Sequence, residues 1–548
     1  MNSRLPSAVQ AQHTEGILKS LERVFFDEQE LASGQNVSMP PAQKHETKSK
    51  NPNKRPAAGS KACFCTRHSM MDRAGFLWCS ILLVGVANLH SAAGEGFITS
   101  PFQADVWASN VTTARGLEID EAGDVLVVSR GAGIVALWED ADGRVDRTLI
   151  VNNENLTHGI TIHGRYLYAS SGDVVWRWSY TAGRRRVESA PQVVVRNIQN
   201  DEDGNSVRGN HFTRTLAAAD GILYVSVGSI GNVDSNSYRA RLRSFDLERI
   251  PAGGHDFADG AVFADGLRNE VGLAFDARGR LWGVENGADE LVRDDLGGDI
   301  HNDNPGEEMN LFDGPPGSHY GYPYCWTEYN LPNGTGQGRG SQWAWPTLIN
   351  STITDSWCRN ASNNRPPETV MQAHSAPLGV TFFSGANCGG RLPASDARNN
   401  ETLYAFGCEY AGDAFVALHG SWNRDVAVGY KVVRIKIDPS SGLPVAGSAA
   451  VQDIFGQVSP ESTCGTPAGV VCIRPVDLKF TRGGALLVTA DASGEIYRIV
   501  QSSNSSSSIT VDTPSPSPSP MGSSATRVAL LSTCSVLLAT VLSSLLLA

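Results

Sequence analysis

A formal net charge of −12 over 548 residues, with no long basic run in the middle, excludes a chain built to grip nucleic acid. Fifty-six Gly and eleven Trp against only seven Met favour a turn-rich β fold over a helical one. Length alone would allow several domains, but both ends of the chain read as address segments.

Residues 1–70 are polar and basic, and KHETKSKNPNKRP carries no apolar period. They are expected to be a disordered extension, or sequence upstream of the true start. Residues 71–93 follow the plan of a secretory signal peptide: a basic start at Met71, an apolar core from Ala74 to Ala87, then small residues around Ser91–Ala93. That core is short for a bilayer span, which favours a cleaved signal over an internal signal-anchor.

Residues 94–502 repeat one theme: a polar residue, a short apolar strand, a turn with Gly or Asp, and a second strand. Six units begin at Arg115 (RGLEIDEAGDVLVVSRGAGIVALW), Thr157 (THGITIHGRYLYASSG), Arg214 (RTLAAADGILYVSVGSIGN), Arg268 (RNEVGLAFDARGRLWGVENGADEL), Ser375 (SAPLGVTFFSG, with FVALHGSW) and Arg474 (RPVDLKFTRGGALLVTAD). Period-two alternation within the strands marks half-buried sheets. Six such sheets over this length favour an all-β, six-bladed propeller over a sandwich. The stretch from about Asp294 to His374 breaks the rhythm and reads as an ordered excursion over one face.

Within the folded region Cys325, Cys358, Cys388, Cys408, Cys464 and Cys472 form an even set. In an exported chain such a set implies disulfides with fifteen possible pairings, and the clustering suggests that neighbours join. Seven sequons, at Asn110, Asn155, Asn333, Asn350, Asn360, Asn400 and Asn504, fit the same address. Residues 503–524 are a Ser/Pro-rich stalk, and 525–548 an apolar tail with no basic residue after it. That pattern fits a GPI-anchor signal on a protein displayed at the extracellular side of the membrane or wall.

In a propeller the first residues of the axial strands, and the ends of the second strands, face one mouth of the central channel. Here those places hold Arg115, Thr157, His158, His211, Arg214, Arg268, Asn269, His374 and Arg474, joined by Arg130, Glu285 and His419. A ring rich in Arg and His suits a small, planar, polyanionic ligand.

At these residues the chain resembles the PQQ-dependent sugar dehydrogenases, the group of soluble glucose, aldose sugar, sorbosone and fungal pyranose dehydrogenases. GLRNEVGLAF, VENGADEL, GEEMNLF, HYGYPYCW, HGSWNR with GYKVVRIKID, and RPVDLKFTRGGALLVT carry the likeness from about Phe97 to Val500, most of all to the fungal pyranose branch. The resemblance implies PQQ and Ca²⁺ as cofactors. It implies His211 as the base that takes a sugar hydroxyl proton, and Arg268 as the charge that stabilises the reduced cofactor. It places Asn269 beside the quinone, and Arg130, His419, Arg424 and Arg474 as cofactor contacts. The main-chain carbonyls of Gly287 and Ala288 become Ca²⁺ ligands. Ser229 stands where soluble glucose dehydrogenase has an acidic partner for the histidine, which leaves the orientation of His211 open. The run Asp294, Asp295, Asp299, Asp303, Glu307, Glu308 offers oxygens for a second Ca²⁺, or forms a solvated loop. No Cys-x-x-Cys-His is present, so electrons are expected to pass to a separate acceptor. The alternative is a non-catalytic cell-surface propeller that binds glycans or proteins. A lactonase-type propeller would need Asp, Asn or Glu where the rim is mainly Arg and His.

Overall fold

One recurring turn converts the repeat into antiparallel sheet. Asp120 Oδ1 accepts the amides of Ala122 and Asp124 at 2.8 and 2.9 Å, while Gly123 takes φ 92°. Asp140 does the same for Asp142 and Arg144, and Asp276 for Arg278 and Arg280, with Gly143 at φ 74° and Gly279 at φ 76°. The carboxylate pre-forms the bend, and only glycine enters the left-handed region at no steric cost.

The computed structural model describes residues 96–502 except 202, 236–237, 333, 393–402, 448–449 and 465–470. The extension, the signal-like segment, the stalk and the apolar tail lie outside the described residues, as do Asn333, Asn400 and Asn504. Among the described residues no helix is long and apolar enough to cross a membrane.

Six sheets surround one axis. Their innermost strands are Ala114–Ile119, Leu156–His163, Leu216–Ala219, Glu270–Phe275, Pro377–Phe382 and Pro475–Phe480, each packed on the next until the last meets the first. The six-bladed propeller expected from the repeat is present, and every unit start falls within two residues of the start of an inner strand. The ring closes in blade six, where Phe102–Ala108 pairs antiparallel with Glu495–Gln501. Arg498 holds that seam through Asp105 at 2.9 Å and Glu139 at 3.3 Å. Blade five gains an outer strand from Gly96–Ile98. Between these two blades Phe102, Phe406, Phe415 and Tyr497 are buried in one apolar cluster. Between the inner strands lies a space of ≈ 20 Å³, with Gly116, Gly159 and Gly272 in its wall. That is about room for one water.

The excursion from Asp294 to His374 needs correction, because part of it is blade four itself. Glu307–Leu311 pairs with Leu281–Glu285 as the third strand, and Thr369–Met371 follows as the fourth. Besides the small hairpin of Val292–Arg293 with Gly298–Asp299, the segment between them leaves the blade. It forms a hairpin of Cys325–Thr327 with Gln342–Ala344, and its Ser318–His319 adds an edge to blade three. The disulfides join Cys325–Cys358, Cys388–Cys408 and Cys464–Cys472, the neighbour pairing expected from their clustering.

Candidate active site

Inner strands begin, and second strands end, at one mouth of the ring, so residues far apart in sequence meet there. His211 lies in the approach to the blade-three inner strand. Its Nδ1 is 3.0 Å from both the carbonyl and the Oγ of Ser229. A carbonyl only accepts, and that Oγ donates to the Gly231 carbonyl at 2.7 Å, so Nδ1 carries the proton. Serine thus orients the ring without an acidic partner, and Nε2 keeps its lone pair. Burial first, and then the Arg268 charge, pull the imidazole down to about 3.

Arg268 is buried and fully braced. Its guanidinium meets Asp289 at 2.8 Å and the Asn232 side chain at 3.1 Å, and its carbonyl accepts the Ser229 amide at 2.7 Å. The salt bridge thus coexists with a place beside the imidazole. Asp289 also accepts from Asn423 and lies 3.5 Å from His374 Nδ1. Burial opposes its charge, but Arg268 and His374 outweigh that and hold the carboxyl below its ordinary range. His374 further contacts the His301 carbonyl, which accords with a structural part.

On the other side of the mouth Asp491 is the hub. It accepts from Arg115 at 2.6 Å and from His419 Nε2 at 2.9 Å. Burial alone would raise Asp491, yet His419, Arg115 and Arg474 keep it ionised, well below the usual carboxylate range. Burial, followed by the Arg474 charge, lowers His419 to about 4, so its ring is neutral near pH 7. Among the described residues Arg474 reaches two carbonyls, His419 and Gly420, both at 3.4 Å, and retains donors for an anion. Arg130 lies over the Phe212 ring at 5.9 Å, next to His211 in sequence. Thr157 Oγ1 and His158 Nδ1 are buried and have no partner among the described residues.

Arg424 stands apart from the Asp491 group. Its guanidinium ties Asp303 at 3.1 Å and the Ala373 and Val426 carbonyls, fastening one loop to another. Asn269 is half-buried, with its carbonyl accepting the Asn286 amide at 3.1 Å. The acidic run is spread out: Asp295 pairs with Arg293, Asp299 with His301, and Asp303 with Arg424. Glu307 instead turns inward to accept the amides of Gly287 and Ala376, at 2.7 and 3.1 Å. Among the described residues no three His, Cys, Asp or Glu side chains are grouped to hold a metal ion.

A family model described as TrAA12-like matches residues 97–502, which is the whole ring. The chain belongs to the TrAA12-like family. A pyrroloquinoline quinone-dependent pyranose dehydrogenase of Coprinopsis cinerea is 32% identical over 437 residues, covering 74% of this chain and 54% of that protein. The chain therefore spans about half the length of that curated relative. A pyrroloquinoline quinone-dependent sugar dehydrogenase of Hypocrea jecorina is 29% identical, with 74% of this chain and 90% of that one covered. Among solved structures, the holo form of the Coprinopsis cinerea pyranose dehydrogenase PQQ domain superposes with a TM-score of 0.63 at 29% identity, over 74% of this chain and 97% of that one. A calcium structure of the Trichoderma reesei family AA12 enzyme gives 0.63 at 26%, over 76% and 100%.

For a TrAA12-like chain the cofactor fit is tested by donors and acceptors left over. The carbonyl oxygens of Gly287 and Ala288 receive no hydrogen bond from any described residue. Two adjacent carbonyls of this kind suit a hard cation such as Ca²⁺. Arg474, with the orphaned Thr157 and His158 atoms, suits an anionic, polar ligand above them. The residues fit both groups.

Sequence reasoning missed Asp289, Asp491, Asn232 and Asn423. One signal was available for Asp491: it ends the second strand of blade six, as Arg130, Glu285 and His419 end theirs in blades one, four and five.

Proposed function

We propose that the chain is an extracellular quinoprotein oxidoreductase that oxidises a pyranose sugar, with PQQ and Ca²⁺ at the mouth of the propeller. PQQ supplies the hydride acceptor when bound. Arg474, Arg130, His419 and Asn269 are the residues to hold it, and the carbonyls of Gly287 and Ala288 the ones to hold Ca²⁺. His211 takes the sugar hydroxyl proton on Nε2, and Ser229 keeps the ring in the tautomer this needs. Arg268, pinned by Asp289 and Asn232, sets a fixed positive charge beside that imidazole. Electrons leave to a separate acceptor, and the C-terminal segment tethers the protein through a lipid.

The observation that carries this reading is the His211 imidazole. It is half-buried, with one nitrogen fixed by Ser229 and the other open, in the same mouth as Arg268 and two donor-free carbonyls. The names of the Coprinopsis and Hypocrea relatives support the substrate class. Three disulfides and exposed sequons at Asn110, Asn155, Asn350 and Asn360 support export. The test is to load the purified full chain with PQQ and Ca²⁺ and follow dye reduction across a panel of pyranoses. Dye reduction that requires PQQ, and stops on chelation of Ca²⁺, is expected. Turnover with no dependence on PQQ, or none with any sugar, would overturn the reading.

A further inference from the structure

Trp422 is 66% exposed and is the one exposed aromatic side chain among the described residues. Every other described Trp is buried or half-buried. Its backbone, by contrast, is clamped on both sides. Ser421 exchanges hydrogen bonds with Val428 at 2.9 and 3.0 Å, and its carbonyl accepts from the Tyr430 hydroxyl at 2.7 Å. After Trp422, Asn423 donates to Asp289, Arg424 pairs with Asp303, and Asp425 meets Asn302 at 2.8 and 3.0 Å. A rigid turn therefore holds a bare indole out of the core, between the His419 side of the mouth and the Asp289–Arg268 side.

An indole left in water forgoes favourable burial unless a ligand covers it. A protein partner would need an apolar patch of several residues, and among the described residues of this turn Val426 is the one other exposed large apolar side chain. A single flat apolar face fringed by Asn and Asp is instead the complement of a sugar ring, with its C–H face and its equatorial hydroxyls. We infer that Trp422 is the platform on which the pyranose stacks as it enters the mouth. This rests on the sugar-oxidising reading above and deepens it by naming the substrate-positioning surface.

The test uses the full chain loaded with PQQ and Ca²⁺, in wild-type form and as Trp422→Ala and Trp422→Phe. In Trp422→Ala the KM for the preferred pyranose is expected to rise about three- to tenfold, the size of one lost aromatic contact. The kcat, the KM for the dye, the PQQ affinity and the melting temperature should stay as in wild type. Trp422→Phe should restore most of the sugar affinity, since a smaller ring still offers a face. An unchanged sugar KM in Trp422→Ala overturns the inference while leaving the activity intact. A rise in the dye KM alone would make the indole an acceptor contact, and a loss of PQQ affinity would make it a cofactor cover; either also overturns it. A wild-type chain that binds no PQQ defeats the activity reading and this one with it.

Discussion

His211 shows what burial does to a base. Its imidazole, lowered to about 3, is neutral across the whole range in which a free histidine titrates around 6.5. The kcat/KM of the enzyme should therefore keep its full value well below pH 6, with the acid limb set near 3, which a pH–rate profile reads directly. The linked stability effect has the matching sign: unfolded histidine gains a proton below 6.5 while folded His211 does not, so stability falls as pH falls from 6.5 toward 3. His211→Ala should lower kcat by about 10²–10⁴-fold with PQQ binding kept, the usual reach of general-base catalysis. Asp491→Asn removes the negative charge between Arg115 and His419 and replaces one of their two acceptor oxygens by a donor, leaving a buried guanidinium without its counter-charge. A loss of about 3 kcal/mol or more in denaturant unfolding is expected. The rim cations were legible because Arg and His are conspicuous at strand starts. Their Asp partners were not, since an aspartate in a loop reads as solvated until the fold encloses it.

Blade four carries an unusual element: two buried carboxylates and a half-buried one around one amide. Asn310 Nδ2 lies 3.4 Å from Glu270, 3.3 Å from Glu285 and 3.5 Å from Glu308. Burial raises all three, with Glu308 reaching about 7 and the Glu308 charge pushing Glu285 further up. The sign is opposite to that of His211. The unfolded acid ionises above 4.5 while the folded one stays protonated, so stability is lost as pH rises from 4.5 toward 7. Glu308→Gln should flatten the fall in melting temperature over that interval, as thermal scans at stepped pH would record. At this scale the sequence was clearest where turns were local, as in the Asp-x-x-Gly bends. It was least clear in blade four, whose short outer strands Glu307–Leu311 and Thr369–Met371 are separated by a long loop. Nothing periodic in that loop announces that Ser318–His319 will pair with Ala264–Asp265 across to the neighbouring blade.

As a whole molecule the ring is closed by a non-local seam, the pairing of Phe102–Ala108 with Glu495–Gln501. Deleting the residues up to Ala108 should replace a single cooperative unfolding step with a broad, early one in calorimetry, because blade six then presents an open edge beside blade one. The sequence disclosed the number of blades, since each repeats the same pattern. It did not disclose which strand sealed the circle, because that pairing joins opposite ends of the folded region and leaves no short-range mark.

The same seam bears on how a tethered propeller would face its surroundings. Asp491 marks the mouth, and from there the last strand, Glu495–Gln501, runs down the ring to its far side. There the Ser502 amide bonds the Pro101 carbonyl at 2.7 Å, so the C-terminal end of the described fold is fixed opposite the mouth. A tether attached after Ser502 would hold the propeller like an upturned cup, its base toward the cell and its opening toward the medium where sugars arrive.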